Sequence, residues 1–341
     1  VAGLLGAALL SGRAGGAQTT FAPPSEPPSL RAVRVAAGMR VDGRLDETVW
    51  RLAPAVGGFR QVDPDQRAPA REGTEVRVLY DETHLYVGAT LRDPLGARGV
   101  RLRDLRRDFG DADGDRFEVV LDPFRDGRNA VVFATNPAGA QRDLQAFDDL
   151  GRLTDLDWDA VWRVRTARTD SGWTAEFAIP WATLRYPAAA APGAEWRVNF
   201  VRLVRRRFET SAWSPYPRGY SPLRVAYAGR LVGLEPPPPG RNVRAQPYAV
   251  ARAERLVRAG GGAGTDDGAA RGQVGADLKW ALAPTTVLDA TVNTDFAQAD
   301  ADVQVINLTR FSVFFPERRQ FFLENASLFT VGYGGFGGEP F

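Results

Sequence analysis

A two-residue alternation between Arg116 and Leu121 constrains this chain more than any other feature. Phe117, Val119 and Leu121 fall on one side of an extended backbone, and Arg116, Glu118 and Val120 fall on the other. That period belongs to a β-strand with one strongly apolar face. Asp122-Pro123-Phe124-Arg125-Asp126-Gly127 follows as a turn, in which proline presets one backbone angle and glycine takes the strained one. Ala130 to Thr135 then returns as a second β-rich run, closed by Asn136-Pro137-Ala138-Gly139. Two strands cannot bury a face by themselves, so the flanking segments must supply an opposing sheet. The hairpin is expected at the centre of a β-sandwich.

The flanking segments have the matching character. Thr74 to Tyr80 alternates, Asp81-Glu82-Thr83-His84 turns, and Leu85 to Arg92 returns as a second hairpin with His84 as a solvated turn residue. Ala160 to Ala167, Gly172 to Ile179, Glu195 to Val204 and Leu223 to Leu234 supply further strands. Val41 to Trp50 and Pro180 to Leu184 read as short helical turns, and Asp148 to Asp159 as an acidic loop. Roughly eight to ten short strands without a long helical period indicate an all-β fold, an antiparallel sandwich. Its expected limits are residues 31–235, with a stiff Pro-rich linker at 236–240.

Composition narrows the chemistry. Among 341 residues, 43 basic side chains stand against 41 acidic ones, a balance that argues against nucleic acid as a partner. Cysteine is absent and His84 is the only histidine. Thiolate zinc sites, cysteine nucleophiles, Ser-His-Asp triads and multi-histidine metal sites are thereby disfavoured. Val1 to Leu10 is an apolar run too short to span a bilayer as a helix, and Ala14 to Ala17 follows as small residues. Residues 1–17 read as the remnant of a signal peptide and 18–30 as a linker, so export is expected.

Beyond the prolines the alternation lengthens. In Gln273 to Leu282, Val274, Ala276, Leu278, Trp280 and Leu282 oppose Gln273, Gly275, Asp277 and Lys279, the last being the one lysine of the chain. Thr285 to Asn293 and Val243 to Arg252 repeat the pattern. Strands of about ten residues with one apolar and one polar face suit a transmembrane barrel, and a half-buried soluble sheet gives the same alternation. Three such strands cannot close a barrel, so residues 241–341 are expected to be the first part of a longer barrel domain.

One loop has the makings of a cation site. Asp108, Asp111, Asp113 and Asp115 surround Gly110 and Gly114, and hard cations favour carboxylates on a tight turn. Asp111, Asp113 and Asp115 are the candidate calcium ligands, and calcium is the one cofactor the sequence offers. The loop departs from the EF-hand, because Asp122 stands where a glutamate belongs and no flanking helices are readable. A plain polar loop feeding the central strand is the alternative.

Several stretches together resemble a known architecture. VDGRLDETVW, TEVRVLYDETHLYVGATLRD, DRFEVVLDP, FATNPAGAQRD and GWTAEFAIPWATLRY are similar, in order, to blocks of a family 9 carbohydrate-binding-module-like domain. GADLKWALAPTTVLDATVNTDFAQADADVQVINLTRFSVFFPERRQFFLE resembles the start of uncharacterised bacterial outer-membrane barrels that often follow such a domain. The resemblance implies a sandwich in the periplasm or at the surface, fused to an outer-membrane barrel. It also implies a sugar held between two tryptophans, yet Ala112 stands at the first of those positions, with Phe109 the nearest aromatic. Tyr220 stands at the second. The strand carboxylate of the family corresponds to Glu118, and a basic residue on the return strand is replaced by Ala134.

Sugar sites combine aromatic faces with carboxylates or amides. The candidate carbohydrate-binding residues are therefore Glu118, Tyr220, Phe109, Asn136, Trp158 and Trp213, the two tryptophans because they lie among loop residues. Trp50, Trp162, Trp173 and Trp196 lie in amphipathic stretches and read as core. Arg205-Arg206-Arg207 reads as a solvated strand edge, and the aromatic FFPERRQFFLE run as part of the barrel or its rim. No spacing singles out a catalytic carboxylate pair. Three readings result: an outer-membrane protein whose sandwich recognises a glycan or related ligand for uptake or attachment, a structural or protein-interaction module without sugar binding, and a polysaccharide-degrading hydrolase.

Overall fold

The structure is a computed structural model that describes residues 26–36, 38–110, 114–147, 154–156, 158–188, 195–240, 243–255, 268–283 and 286–293. Asp111, Asp113, the N-terminal apolar run and the FFPERRQFFLE run lie outside the described residues. In chain order the strands are β1 (Ser29–Arg31), β2 (Val33–Arg34), β3 (Arg60–Asp63), β4 (Thr74–Tyr80), β5 (His84–Arg92) and β6 (Arg116–Asp122). Next come β7 (Ala130–Thr135), β8 (Gln141–Ala146), β9 (Thr154–Asp155), β10 (Arg163–Thr169), β11 (Gly172–Pro180) and β12 (Trp196–Val204). The last are β13 (Glu209–Ala212), β14 (Gly229–Val232), β15 (Val243–Arg255), β16 (Gly268–Ala283) and β17 (Thr286–Val292).

Two sheets make the sandwich. A nine-stranded sheet runs β1-β14-β12-β6-β7-β8-β9, with β13 branching from β12 and carrying β3. A five-stranded sheet runs β10-β11-β5-β4-β2. The alternation in β6 places Phe117, Val119 and Leu121 fully inside, facing Val76, Val78, Val87, Ala89, Phe177 and Phe200 in one core. Both expected hairpins are present, β6 with β7 and β4 with β5, each antiparallel. The only parallel pairings among the described strands are β1 with β14 and β2 with β4. Residues 29–34 thus strap one edge of each sheet.

Each sheet carries a partial cover on its outer face. The five-stranded sheet is covered by the segment around the 3-10 turn Thr48–Leu52, where Trp50 packs with Leu79, Tyr86 and Ala178. Gly88 makes room for that indole, since a Cβ there would lie 2.8 Å from Trp50 Cζ3. The nine-stranded sheet is covered by residues 213–228: Leu223, Val225 and Ala228 lie over Val120, Val132 and Leu144, and Tyr216 lies over Val62, Val201 and Ala212. Beyond the sandwich, β15, β16 and β17 form a separate antiparallel sheet. No closed barrel occurs among the described residues.

Some expectations change. The strand expected at Leu223 to Leu234 is a 3-10 turn at Val225–Tyr227 followed by the shorter β14. Pro180 to Leu184 is a turn rather than a helical segment, closed by Thr183 N–H to the Pro180 carbonyl at 2.9 Å. His84 is half-buried and opens β5 with its ring stacked on Tyr86 at 5.6 Å. Arg205–Arg207 form a 3-10 turn that is not a solvated edge: Arg206 pairs with Asp93 at 3.0 Å and with Glu72, and Arg207 pairs with Glu72 at 2.7 Å.

Candidate functional site

On β6 the side chains that turn away from the core are Arg116, Glu118, Val120 and Asp122. Their cross-strand neighbours fix the rows of the outer face. Glu118 stands opposite Val201 of β12 on one side and Ala134 of β7 on the other, and Ala134 stands opposite Arg142 of β8. The row Val201–Glu118–Ala134–Arg142 therefore crosses four strands, about 5 Å apart from strand to strand. The basic residue missing at Ala134 is matched by an arginine one strand further along the same row.

Glu118 is 9 % exposed. Its Oε1 lies 2.5 Å from Arg116 Nε, two residues away on the same strand face. Tyr216, buried in the covering segment against Val62, Val201 and Ala212, lies close enough for the Glu118 charge to act on its phenol. Burial, and then the negative charges of Glu118 and Asp63, push the Tyr216 phenol above its ordinary pKa, so it remains a hydroxyl donor at any physiological pH. Asp63 is paired with Arg218 at 2.6 Å. Arg142 reaches along the sheet to the Phe109 carbonyl at 3.3 Å.

An aromatic and cationic group adjoins this row. Tyr220 is 42 % exposed and stacks on Tyr227 at 5.9 Å. The Arg224 guanidinium lies over the Tyr220 ring at 4.3 Å and over Tyr227 at 5.5 Å. Tyr227 in turn packs against the cluster of Tyr216, Val201 and Ala212. Glu118 and Tyr220 are thus linked through Tyr216 and Tyr227 on one continuous face. Sequence reading had no argument for Arg116, Tyr216, Arg142 or Arg224. The signal for Arg116 was its shared parity with Glu118, and that for Tyr216 was its place in the Pro-rich segment that also holds Tyr220.

The other candidates lie elsewhere. Trp213 is buried against Phe200 at 5.7 Å, and Trp158 is buried edge-on to Phe133 at 5.9 Å. Both belong to the core between the sheets, because a loop residue next to a sheet end can fill the space the strands leave open. Phe109 is also buried. The Asn136 amide is committed within the protein: Oδ1 accepts from the Ala138 and Ala140 N–H groups of its own turn at 3.0 and 3.2 Å, and Nδ2 donates to the Asp104 carbonyl of a neighbouring loop at 2.8 Å. Asp115 is buried, with one oxygen accepting from Arg101 N–H at 3.1 Å and the other from Arg205 N–H at 2.7 Å. It clasps two loops. No group of three or more metal-ligating side chains occurs among the described residues.

Two family models match. Residues 41–199 match the family described as carbohydrate family 9 binding domain-like. Residues 243–333 match a domain of unknown function, DUF5916. The sandwich is therefore a family 9-like domain. Among solved structures, the chain is similar to a family 9 carbohydrate-binding module from Caldicellulosiruptor kristjanssonii in complex with cellotriose. That likeness has 13% identity and a TM-score of 0.38, over 60% of this chain and 92% of the other. The same description with glucose gives 13% identity and 0.38, over 59% and 94%. A Bacteroides uniformis protein described as a candidate carbohydrate-binding protein gives 14% identity and 0.44, over 60% and 99%. No curated protein matches the sequence.

Proposed function

We propose that the protein recognises a glycan on the outer face of its nine-stranded sheet, at the Glu118–Arg116–Tyr216 group and the adjoining Tyr220, and that it does so at the outer membrane. The observation that carries the reading is the coincidence of that group with the strand carboxylate of a family 9-like domain. A carboxylate oriented by a neighbouring guanidinium accepts from paired sugar hydroxyls, and the Tyr216 hydroxyl adds a donor. The exposed Tyr220 ring, backed by Tyr227, offers a face to the C–H side of a pyranose. Arg142, on the Glu118 row, adds a guanidinium donor for a ring oxygen or hydroxyl.

Support for the membrane part comes from β15 to β17. The register brings Val243 opposite Trp280, and Leu278 and Trp280 opposite Ala290 and Leu288, on a single face. Val243, Val274, Leu282, Leu288 and Val292 on that face are all exposed. The opposite face carries Arg244, Asp277, Lys279, Asp289 and Thr291. Lipid on one side and water on the other would satisfy both faces.

The test is calorimetric titration of the full chain with glucose, cellotriose and a broader glycan panel. Saturable binding that weakens about tenfold in Glu118→Gln and in Tyr220→Ala is expected, since each removes a direct ligand contact. A flat titration from folded protein sinks the reading. It would favour a scaffold or protein-interaction module, which one observation already recommends: every tryptophan of the sandwich is buried, leaving no indole face for a sugar.

A further inference from the structure

The segment that covers the outer face of the five-stranded sheet is fastened to β11 by two side chains on one strand face. Glu176, fully buried, accepts at Oε2 from the Asp42 and Gly43 N–H groups at 2.9 Å each. Thr174, two residues away, donates from Oγ1 to the Gly43 carbonyl at 2.6 Å. Gly43 meets them at φ +89°, so near the Thr166 backbone that a Cβ would lie 2.7 Å from its carbonyl carbon. The fastening is tight, and it depends on one carboxylate.

The other oxygen of that carboxylate has nothing to bond. Glu176 Oε1 is buried without a hydrogen-bond partner among the described residues. So is Glu47 Oε2, which belongs to the covering segment just before its 3-10 turn. Of the charges acting on Glu176, that of Glu47 is the largest, and that of Asp42 follows. Along the strand row, Arg165 of β10 and Gly88 of β5 flank Glu176, and Arg77 of β4 lies beyond Gly88. Arg165 donates to the Val164 carbonyl at 3.0 Å and Arg77 lies 3.9 Å from Glu75, so both guanidinium groups are turned to other partners. Two carboxylates sharing a buried site cannot both hold their charge, and one keeps a proton. Burial, with those acidic neighbours, raises Glu176 to about 7 against the pull of its two N–H bonds. We infer that Glu176 and Glu47 hold one proton between them as an acid-closed latch, and that its loss loosens the covering segment from the sheet. Trp50, Leu79, Tyr86 and Ala178 pack together under this cover, so loosening bares an apolar patch that the closed protein hides. Between 4.5, the ordinary value, and about 7 the closed state binds one proton more than the open one. Closure therefore weakens across that window as pH rises, and levels off above it.

Hydrogen–deuterium exchange of the full chain, read by mass spectrometry and corrected for the intrinsic pH dependence of amide exchange, tests the latch. Protection of residues 38–52 should fall about tenfold or more between about pH 5 and about pH 7, because one bound proton allows up to about tenfold per pH unit. Protection of the β6–β7 hairpin, in the other sheet, should not follow it. Glu176→Gln and Glu47→Gln each replace an acid by an amide of the same size that can donate to the remaining carboxylate. Each should flatten the pH profile of residues 38–52. Protection that ignores pH in the unaltered chain, that keeps its pH dependence in both variants, or that falls in step with the β6–β7 hairpin overturns the inference.

Discussion

Three buried carboxylates organise turns at the cost of holding charge away from water. Glu176 Oε2 accepts from the Asp42 and Gly43 N–H groups at 2.9 Å each. Asp122 accepts from Arg125 N–H at 2.7 Å and Gly127 N–H at 2.8 Å. Asp143 accepts from Arg107 at 2.6 Å and from the Ala160 N–H. Burial raises Glu176 and Asp143 to about 7 and Asp122 to about 6, against the opposing pull of those hydrogen bonds. A carboxyl with a raised native pKa binds more protons folded than unfolded, so stability falls as pH climbs between the two values. For Glu176 the window runs from 4.5, its unfolded value, to about 7. Urea denaturation should therefore show stability declining from about pH 4.5 to about pH 7 and levelling off above it. Glu176→Gln should flatten part of that decline and gain on the order of 1–2 kcal/mol at the basic end. An unchanged pH profile would contradict the assignment. At this scale the sequence was partly legible. Trp50, Trp162, Trp173 and Trp196 are core as their amphipathic surroundings implied, whereas Trp158 and Trp213 were hidden by polar neighbours that form turns around a buried ring.

Between residue and molecule, Arg202 of β12 joins the two sheets. It points into the sandwich and is 2 % exposed. Its guanidinium donates to the Gly73 carbonyl at 2.9 Å, Thr74 Oγ1 at 3.0 Å and the Arg92 carbonyl at 2.7 Å, all on or beside the opposing sheet. Burial lowers its pKa to about 10, against the charges of Asp115, Glu72, Asp93 and Glu209, so it stays protonated at neutral pH. Arg202→Met keeps the length and loses the charge, leaving the three acceptors unpartnered and removing one positive charge from among those carboxylates. It should cost about 3–5 kcal/mol and lower the melting temperature in calorimetry. A change under about 1 kcal/mol would mean that water replaces the arginine. The elements that escaped sequence reading share this polar character. β8 turns Asp143 and Gln145 inward, and β13 reads Glu-Thr-Ser-Ala with Glu209 buried. A strand whose inward positions are carboxylates and amides shows no hydrophobic alternation, however well its hydrogen bonds hold it.

At the scale of the molecule, the three-stranded sheet has one exposed apolar face and one polar face, and the membrane placement proposed for it is open to direct test. Fractionation of a Gram-negative host expressing the full chain should place it with the outer membrane, and extraction should require detergent. Leu278→Arg puts a guanidinium on the apolar face and should reduce membrane assembly, as arginine near mid-bilayer does at about 2–4 kcal/mol. Recovery of the unaltered chain in the aqueous fraction would refute the membrane placement. The link to the sandwich is stiff as well as short, since Tyr186 Oη donates to the Pro237 carbonyl at 2.9 Å within the proline run. The strap described at the sheet edges has a mechanical meaning in this setting. β1 and β14 are parallel neighbours, held by Arg230 N–H to the Pro28 carbonyl at 2.8 Å and Ala32 N–H to the Val232 carbonyl at 2.9 Å. Tension applied before Ser29 and after Val232 pulls such a pair from opposite ends. The load then falls on those bonds in shear and all at once, rather than peeling them one by one.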